Sequence, residues 1–391
     1  MEPKWIVFIL RYFDCWGFCT EFQTTQRRSD ECYLVILVLH IVMDFFAAWS
    51  IVAFLKRPTD DELGHVNDVI KLGGILFVCF LSVTESYFKR KRQRRFWHVF
   101  QKIEQSYRSR QSFRLQSYLK KFAFFIFGSI TSTLYLMFYS YHNGSLFINY
   151  PHFWFTYEIV TRQYRNRVLY YLFYLELVEN ELKTIEGLAR DAAQSSHCSM
   201  YKIDKRENSG NQSDLKRIFE YYQLACELSE ELNSVFGWSN AATISFLFGL
   251  ILTELNWVYW IWYNRFDIVN MIDYIFWILR LMFITFCVFF VVLGCKKRKK
   301  KVLYYMGSIK FHWNDTKTAS QVESIFFDSF HQPITFHAKG LFEISQETML
   351  QLINRITIYM TVFIQFSPMY RLCYAMVECL RIRGPKSKEN S

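Results

Sequence analysis

Six prolines and 14 glycines in 391 residues are too few for a collagenous or low-complexity chain. None of the ten scattered cysteines stands in a Cys-x-x-Cys pair, which argues against a disulfide framework or a zinc site. Their scatter, often within apolar runs, suits small buried side chains. There is no Gly-rich phosphate loop, no Gly-x-Ser-x-Gly elbow and no His-Glu-x-x-His helix. An enzyme is not expected, nor a metal or cofactor. His331 and His337 are six apart, the wrong spacing for one helix face, and read as loop or interfacial residues rather than ligands. Acid is the scarcer charge: 35 Asp plus Glu against 46 Lys plus Arg, a net charge of +11.

What the chain has in quantity is apolar and aromatic surface. Hydrophobic residues make up 52% and aromatics 19%, with 40 Phe, 25 Tyr and 11 Trp. That content excludes disorder outside short loops. The apolar residues come in long runs, and a bilayer core needs about 20 of them per helix. Seven runs qualify: 33–55, 68–88, 122–141, 153–178, 238–262, 271–294 and 348–366. The fourth is the most polar, with Glu158, Arg162, Arg165, Arg167 and Glu176. It counts as a span because the interval 142–237 must cross once if the charge rule places both ends correctly. The expected fold is therefore all-α and polytopic, with seven transmembrane helices.

Loop charge orients the spans. Residues 89–121 carry twelve basic residues and one acid, Glu104, and 296–301 read KKRKKK. Placing both inside puts 1–32, 89–121, 183–237 and 295–347 in the cytoplasm, with 32 basic residues against 8 in 56–68, 142–152, 263–270 and 367–391. The N-terminus is then cytoplasmic. The segments divide into an interfacial N-terminal piece (1–32), a six-span bundle (33–294), a cytoplasmic loop with an anchor helix (295–347), a last span (348–366) and an extracellular tail (367–391). Residues 4–22 are expected to lie along the inner interface. Residues 96–119 and 213–236 read as amphipathic helices that either rest on the inner leaflet or extend the spans into a cytoplasmic bundle. Residues 191–213 read as a polar loop. Beside hydrophobic spans, the basic runs indicate topogenic and lipid-contacting roles rather than nucleic acid. Asn143 is the one glycosylation triplet that falls outside the cell.

The C-terminal third carries the most specific pattern. Residues 334–366 read ITFHAKGLFEISQETMLQLINRITIYMTVFIQF. Ala338, Gly340, Leu341 and Phe342, then Tyr359, the run Met360–Ile364, Gln365 and Phe366, resemble the terminal signature of the insect gustatory receptor family, which is related to the insect olfactory receptors. Departures are Ile358 in place of a Thr, Thr361 within the hydrophobic run, and a long tail after Phe366. Leu232, Asn233, Phe236 and Gly237 resemble that family's Asn-x-x-Phe-Gly element before the fifth span.

The resemblance implies a tastant-gated, poorly selective cation channel in the plasma membrane of gustatory neurons. Homo- or hetero-tetramers would surround one pore lined by the last span. Ile358, Tyr359, Val362, Gln365 and Phe366 recur at three- and four-residue spacing, placing them on one side of that helix. Apolar rings there would exclude hydrated ions by dewetting, and Gln365 amides would replace part of the hydration of permeant cations. From the residues alone, Gln365 either lines a pore or bonds a neighbouring helix. Tyr135, Tyr139, Glu254, Trp257, Trp260, Tyr274 and Trp277 are the candidate tastant pocket, in the outer halves of the third, fifth and sixth spans. Aromatic walls suit bitter or other non-sugar organic molecules. Such residues also form interfacial belts. The alternatives are a G-protein-coupled seven-span receptor and a secondary transporter. The first is disfavoured by the inside N-terminus and by the missing Asp-Arg-Tyr and Asn-Pro-x-x-Tyr motifs. The second is disfavoured by the absence of repeats and of Pro within the spans.

Overall fold

The computed structural model describes residues 4–16, 18, 30–55, 62–107, 120, 122–124, 127, 128, 131, 151–199, 208–264, 268–309, 320, 324, 327 and 334–382. Most of the expected third span, with Tyr135 and Tyr139, lies outside the described residues, as does Asn143. The described elements are α1 (Lys4–Cys15), α2 (Asp30–Leu55), α3 (Glu62–Phe88), α4 (Arg90–Tyr107), α5 (Pro151–Ser199), α6 (Asn208–Asn264), α7 (Ile268–Ser308), β1 (His337–Ala338), β2 (Phe342–Glu343) and α8 (Gln346–Ile382). Contacts divide the chain into two units, one of residues 1–246 and 283–346, the other of residues 247–282 and 347–391.

In the first unit, α2, α3 and α5 pack pairwise. Outward-facing residues of α2 stay large and apolar, with Phe45 71% and Trp49 66% exposed. An unpartnered apolar surface of this kind belongs in hydrocarbon rather than water. Among the described residues, Leu34–Ala53, Val69–Phe88 and Lys216–Tyr259 are long and apolar enough to cross a membrane.

The amphipathic segments sort toward a bundle. α4 follows α3 through a turn at Lys89 and buries Phe96, Trp97, Phe100 and Ile103 while its arginines 92, 94 and 95 stay exposed. Phe96 and Trp97 pack on Tyr174 of α5. A hydrogen-bonded row joins the helices: Gln93 Nε2 donates to the Tyr170 hydroxyl, which pairs with the Tyr174 hydroxyl, which accepts from Trp97 Nε1. α1 does not spread its apolar face on the membrane surface, as expected for residues 4–22. Ile9, Leu10 and Phe13 are buried, and the Phe13 ring packs at a tilt on Tyr170, with centroids 4.7 Å apart. Its aromatic partners are in the protein, so burial there wins over the interface. Tyr12 donates to Asn166 Oδ1 at 2.9 Å. Burial raises its phenol above the ordinary value, against the opposing pull of that hydrogen bond, so it stays a donor.

The long helices replace expected loops. α5 has 49 residues and spans about 73 Å at 1.5 Å per residue. It runs on to Ser199, so residues 191–199 are helical rather than loop. α6 joins the amphipathic 213–236 segment to the fifth span without a break. α7 carries the KKRKKK run as helix. Part of that run serves the bundle: Arg298 pairs with Glu179 at 3.1 Å and Glu186 at 3.2 Å, and Lys301 pairs with Glu186. Arg92 and Arg95 share Glu231 Oε1 of α6. Cys79, Cys226 and Cys295 are buried, while Cys15 is exposed.

In the second unit, the last helix continues past Phe366 to Ile382, so residues 367–382, expected as tail, are helical. It passes through Pro368, which has no N–H for the carbonyl four residues earlier, leaving one rung of the ladder open.

Candidate functional site

Two places gather the residues that the sequence singled out: the last helix, and the junction from which it starts. On α8, Met349, Leu352, Ile356, Met360 and Phe363 are half-buried at three- and four-residue spacing. Within the second unit, Phe363 packs edge-to-face on Tyr259 at 5.8 Å, and Tyr359 packs on Phe248 at 6.0 Å. The other side is uncovered. Ile358 is 54%, Val362 45% and Phe366 59% exposed, and Gln365 is exposed with them. Tyr359 therefore sits at the border, half against its own chain. Thr357 and Thr361 turn their hydroxyls onto backbone carbonyls four residues earlier, which hides polar groups a bilayer would not tolerate.

The junction lies in the first unit. β1 and β2 form a two-stranded antiparallel hairpin, with His337 opposite Glu343 and Ala338 opposite Phe342. Its turn closes through Leu341 N–H to Ala338 O at 2.9 Å. The central residues Lys339 and Gly340 have φ of 51° and 75°. Positive φ at both positions explains why a glycine stands at 340. Ala338 is fully buried beside Phe336 and Ile344.

Asn233 of α6 holds this hairpin by both ends of its amide. Its Nδ2 donates to Thr335 O at 2.7 Å, and its Oδ1 accepts from His337 N–H at 3.1 Å. Gly237, one turn on, faces Lys339, and an added Cβ would meet that residue at 3.3–3.4 Å. Lys339 Nζ lies over the Trp238 ring at 5.9 Å. A salt bridge between Lys296 of α7 and Glu343 ties the second strand. The two motifs of the sequence reading, 100 residues apart, are thus halves of one contact.

Below them is a buried ion pair. Arg167 of α5 is fully buried and reaches Glu85 of α3 at 3.3 Å; their side chains are 2% and 4% exposed. Arg167 also donates to Ser86 Oγ at 2.7 Å and Ser239 Oγ at 2.7 Å, and its guanidinium lies 4.3 Å over Phe236. Glu85 accepts the backbone N–H groups of Trp238 and Ser239 at 2.9 and 2.8 Å. Two successive α6 amides and the Arg167 guanidinium thus meet the one buried carboxylate. Every part of the Asn-x-x-Phe-Gly element therefore has a contact: Asn233 clamps the hairpin, Phe236 supports the guanidinium, and Gly237 leaves space for Lys339. Nothing in the sequence pairs Arg167 with Glu85. Their separation of 82 residues carried no pairing signal.

The candidate pocket residues are less assembled. Glu254 is fully buried and Trp257 half-buried on α6. Trp260 lies on the same helix, and Tyr274 and Trp277 lie on α7.

Fold and site together define a polytopic helical membrane protein whose last helix leaves one side uncovered over residues 358–366. The family model for the 7tm chemosensory receptor matches residues 7–370, and the chain belongs to that family. The fold is similar to that of the insect olfactory receptor OR5 from Machilis hrabei, with a TM-score of 0.63 at 10% identity, covering 93% of this chain and 98% of that one. The same receptor in complex with eugenol matches at 0.60, with 10% identity and the same coverage. No curated protein matches the chain by sequence. The expected all-α, seven-span architecture is that of this family and fold.

Proposed function

We propose that the chain is a gustatory receptor subunit: a tastant-gated, poorly selective cation channel of the plasma membrane, assembled as a homo- or hetero-tetramer around its last helices. The observation that carries the reading is the uncovered side of α8. Ile358, Val362 and Phe366 expose apolar surface around one amide, Gln365. Four such helices facing each other would give apolar constrictions that exclude ions when narrow, and a ring of neutral dipoles that admits cations weakly when wide. An intramembrane amide is a functional feature by default. Eugenol, the ligand of the similar olfactory receptor, is a small aromatic molecule, which supports an apolar organic tastant over a sugar. Glu254, Trp257, Trp260, Tyr274 and Trp277 would supply the outer-end pocket.

The docked hairpin gives this reading a transmission element. Asn233, Lys296 and the turn at Gly340 fix the segment that enters α8, so movement of α6 or α7 would pull on the base of the last helix. Whole-cell recording from cells expressing the chain, alone and with partner receptors, against bitter compounds and sugars tests the proposal. Evoked current whose cation permeability or block shifts in Gln365→Ala supports a pore-lining α8. Evoked current that the substitution leaves untouched moves Gln365 to a packing role. No current from verified surface protein with any partner overturns the channel reading.

A further inference from the structure

We infer that the first turns of α4 form a site for the clustered phosphates of a polyphosphoinositide headgroup in the inner leaflet. The chain has two basic runs, and the structure uses them differently. In α7, three cations meet three acids: Lys296 pairs with Glu343, Arg298 with Glu179 and Lys301 with Glu186. In α4, two cations meet one acid. Arg92 and Arg95 both bring a guanidinium nitrogen to the same oxygen of Glu231, at 3.0 and 3.2 Å. Glu231 is 4% exposed and its other oxygen is buried. The arginine side chains above it are 49% and 57% exposed, so the outward surface is guanidinium rather than carboxylate. Lys91, one turn before Arg95 on the same face, is exposed as well.

Depth separates the two runs further. With the N-terminus cytoplasmic, α3 brings the chain to the inner face, and its apolar stretch ends at Phe88. Lys91 and Arg92 follow three and four residues later, at most about 6 Å on, and the headgroup layer is about 5–8 Å deep. Helical side chains lean toward the helix N-terminus, so those of α4 point back toward the bilayer. The α7 run stands elsewhere. The Glu85–Arg167 pair sets the end of α3 level with Arg167 on α5. Glu179 and Glu186, which hold the α7 run, lie twelve and nineteen residues further along α5, about 18 and 28 Å. That run is beyond the reach of a headgroup.

Charge and geometry select the occupant. A protein that clasps basic amphipathic helices needs their apolar face, and Phe96, Trp97, Phe100 and Ile103 are buried in the bundle. Only the charged face of α4 is open. Arg92, Arg95 and Lys91, less Glu231, leave a surplus of two positive charges. A phosphate monoester carries about −1.5 to −2, which matches that surplus. Its several oxygens accept from two forked guanidiniums at once, a geometry for which arginine is suited. The single net charge of a serine headgroup matches it less well. A free inositol phosphate would make the same bonds, and the position at headgroup depth favours the lipid. The site does not rest on the gating reading, and binding to it needs no current.

The test uses the purified full-length protein in phosphatidylcholine nanodiscs, with a short-chain fluorescent phosphatidylinositol 4,5-bisphosphate as probe and empty nanodiscs to subtract partition. Saturable binding is expected. It should weaken about tenfold or more in Arg92→Gln/Arg95→Gln. Lys297→Gln/Lys300→Gln removes the same charge from exposed positions of the α7 run and should bind as wild type. Glu231→Gln keeps the acceptor oxygen, removes the competing charge and should bind several-fold more tightly; this variant decides if the arginine variant does not fold. Phosphatidylserine at equal concentration should not displace the probe, and inositol 1,4,5-trisphosphate should compete about tenfold more weakly than the lipid. No saturable binding, equal binding by the arginine variant, or an equal loss in the lysine variant would each overturn the proposal. So would unchanged or weaker binding by Glu231→Gln, displacement by phosphatidylserine, or free inositol trisphosphate competing as well as the lipid.

Discussion

Replacing Glu85 by Gln removes one charge from a site where its partner has nowhere else to go. Arg167 is fully buried, and its two remaining hydrogen-bond partners, Ser86 and Ser239, are neutral. Breaking a buried pair from one side costs about 3–5 kcal/mol, because the uncompensated charge stays behind. The substitution also weakens the hold on the Trp238 and Ser239 amides, which Gln meets with one oxygen instead of two. An unfolding entropy of about 2.1 cal/mol/K per residue over the whole chain turns that range into a fall of roughly 4–6 °C in melting temperature. The assay is thermal loss of the monodisperse peak in fluorescence-detected gel filtration. Glu85→Gln combined with Arg167→Met removes both charges, and an apolar replacement of a buried pair is close to neutral. The double variant should therefore recover most of the loss. A Glu85→Gln protein that melts within a degree of wild type would refute the reasoning. So would a double variant whose loss is the sum of the two single losses, since additivity means the residues do not interact.

Asn233→Leu should leave the Thr335 carbonyl and His337 N–H without their amide, costing about 1–3 kcal/mol; on the proposed gating route it should reduce evoked current at unchanged surface expression, measured by recording beside surface biotinylation. Gly74→Ala should destabilise by about 1–3 kcal/mol, because its Cβ would stand 2.2 Å from the Phe246 ring, while Gly73→Ala, with nothing within 4 Å, should be neutral or stabilising; equal melting temperatures for the two would refute the packing of α3 on α6. Maleimide should modify exposed Cys15 in the folded protein and spare Cys79, Cys226 and Cys295 until denaturant is added, read by peptide mass spectrometry.

The spans were legible because hydrocarbon imposes a simple demand. A stretch of about 20 apolar residues has few other uses, and basic loops orient it. The amphipathic 96–119 and 213–236 stretches were equally plain, but their partner was not. An apolar stripe reads the same whether it will meet lipid or another helix, so only the structure placed α4 and the start of α6 in a bundle and drew α1 into it. Helix ends were misjudged where no cap or breaker marked them. Residues 191–199 looked like loop because they are polar, yet α5 carries them as helix. Residues 367–382 read as tail, yet α8 runs on to Ile382.

The amino-acid sequence by itself determined the membrane class, the seven-span reading, the family signature at Ala338–Phe342 and Tyr359–Phe366, and the periodicity that sets Ile358, Val362 and Gln365 on one side of a helix. These depend on composition and short-range spacing. Only the tertiary structure decided that Asn233 grips the hairpin and that Arg167 finds Glu85. Those contacts join residues about 80 to 100 positions apart in different elements. Which faces meet there depends on how rigid helices pack as wholes, and no local pattern along the chain encodes that choice.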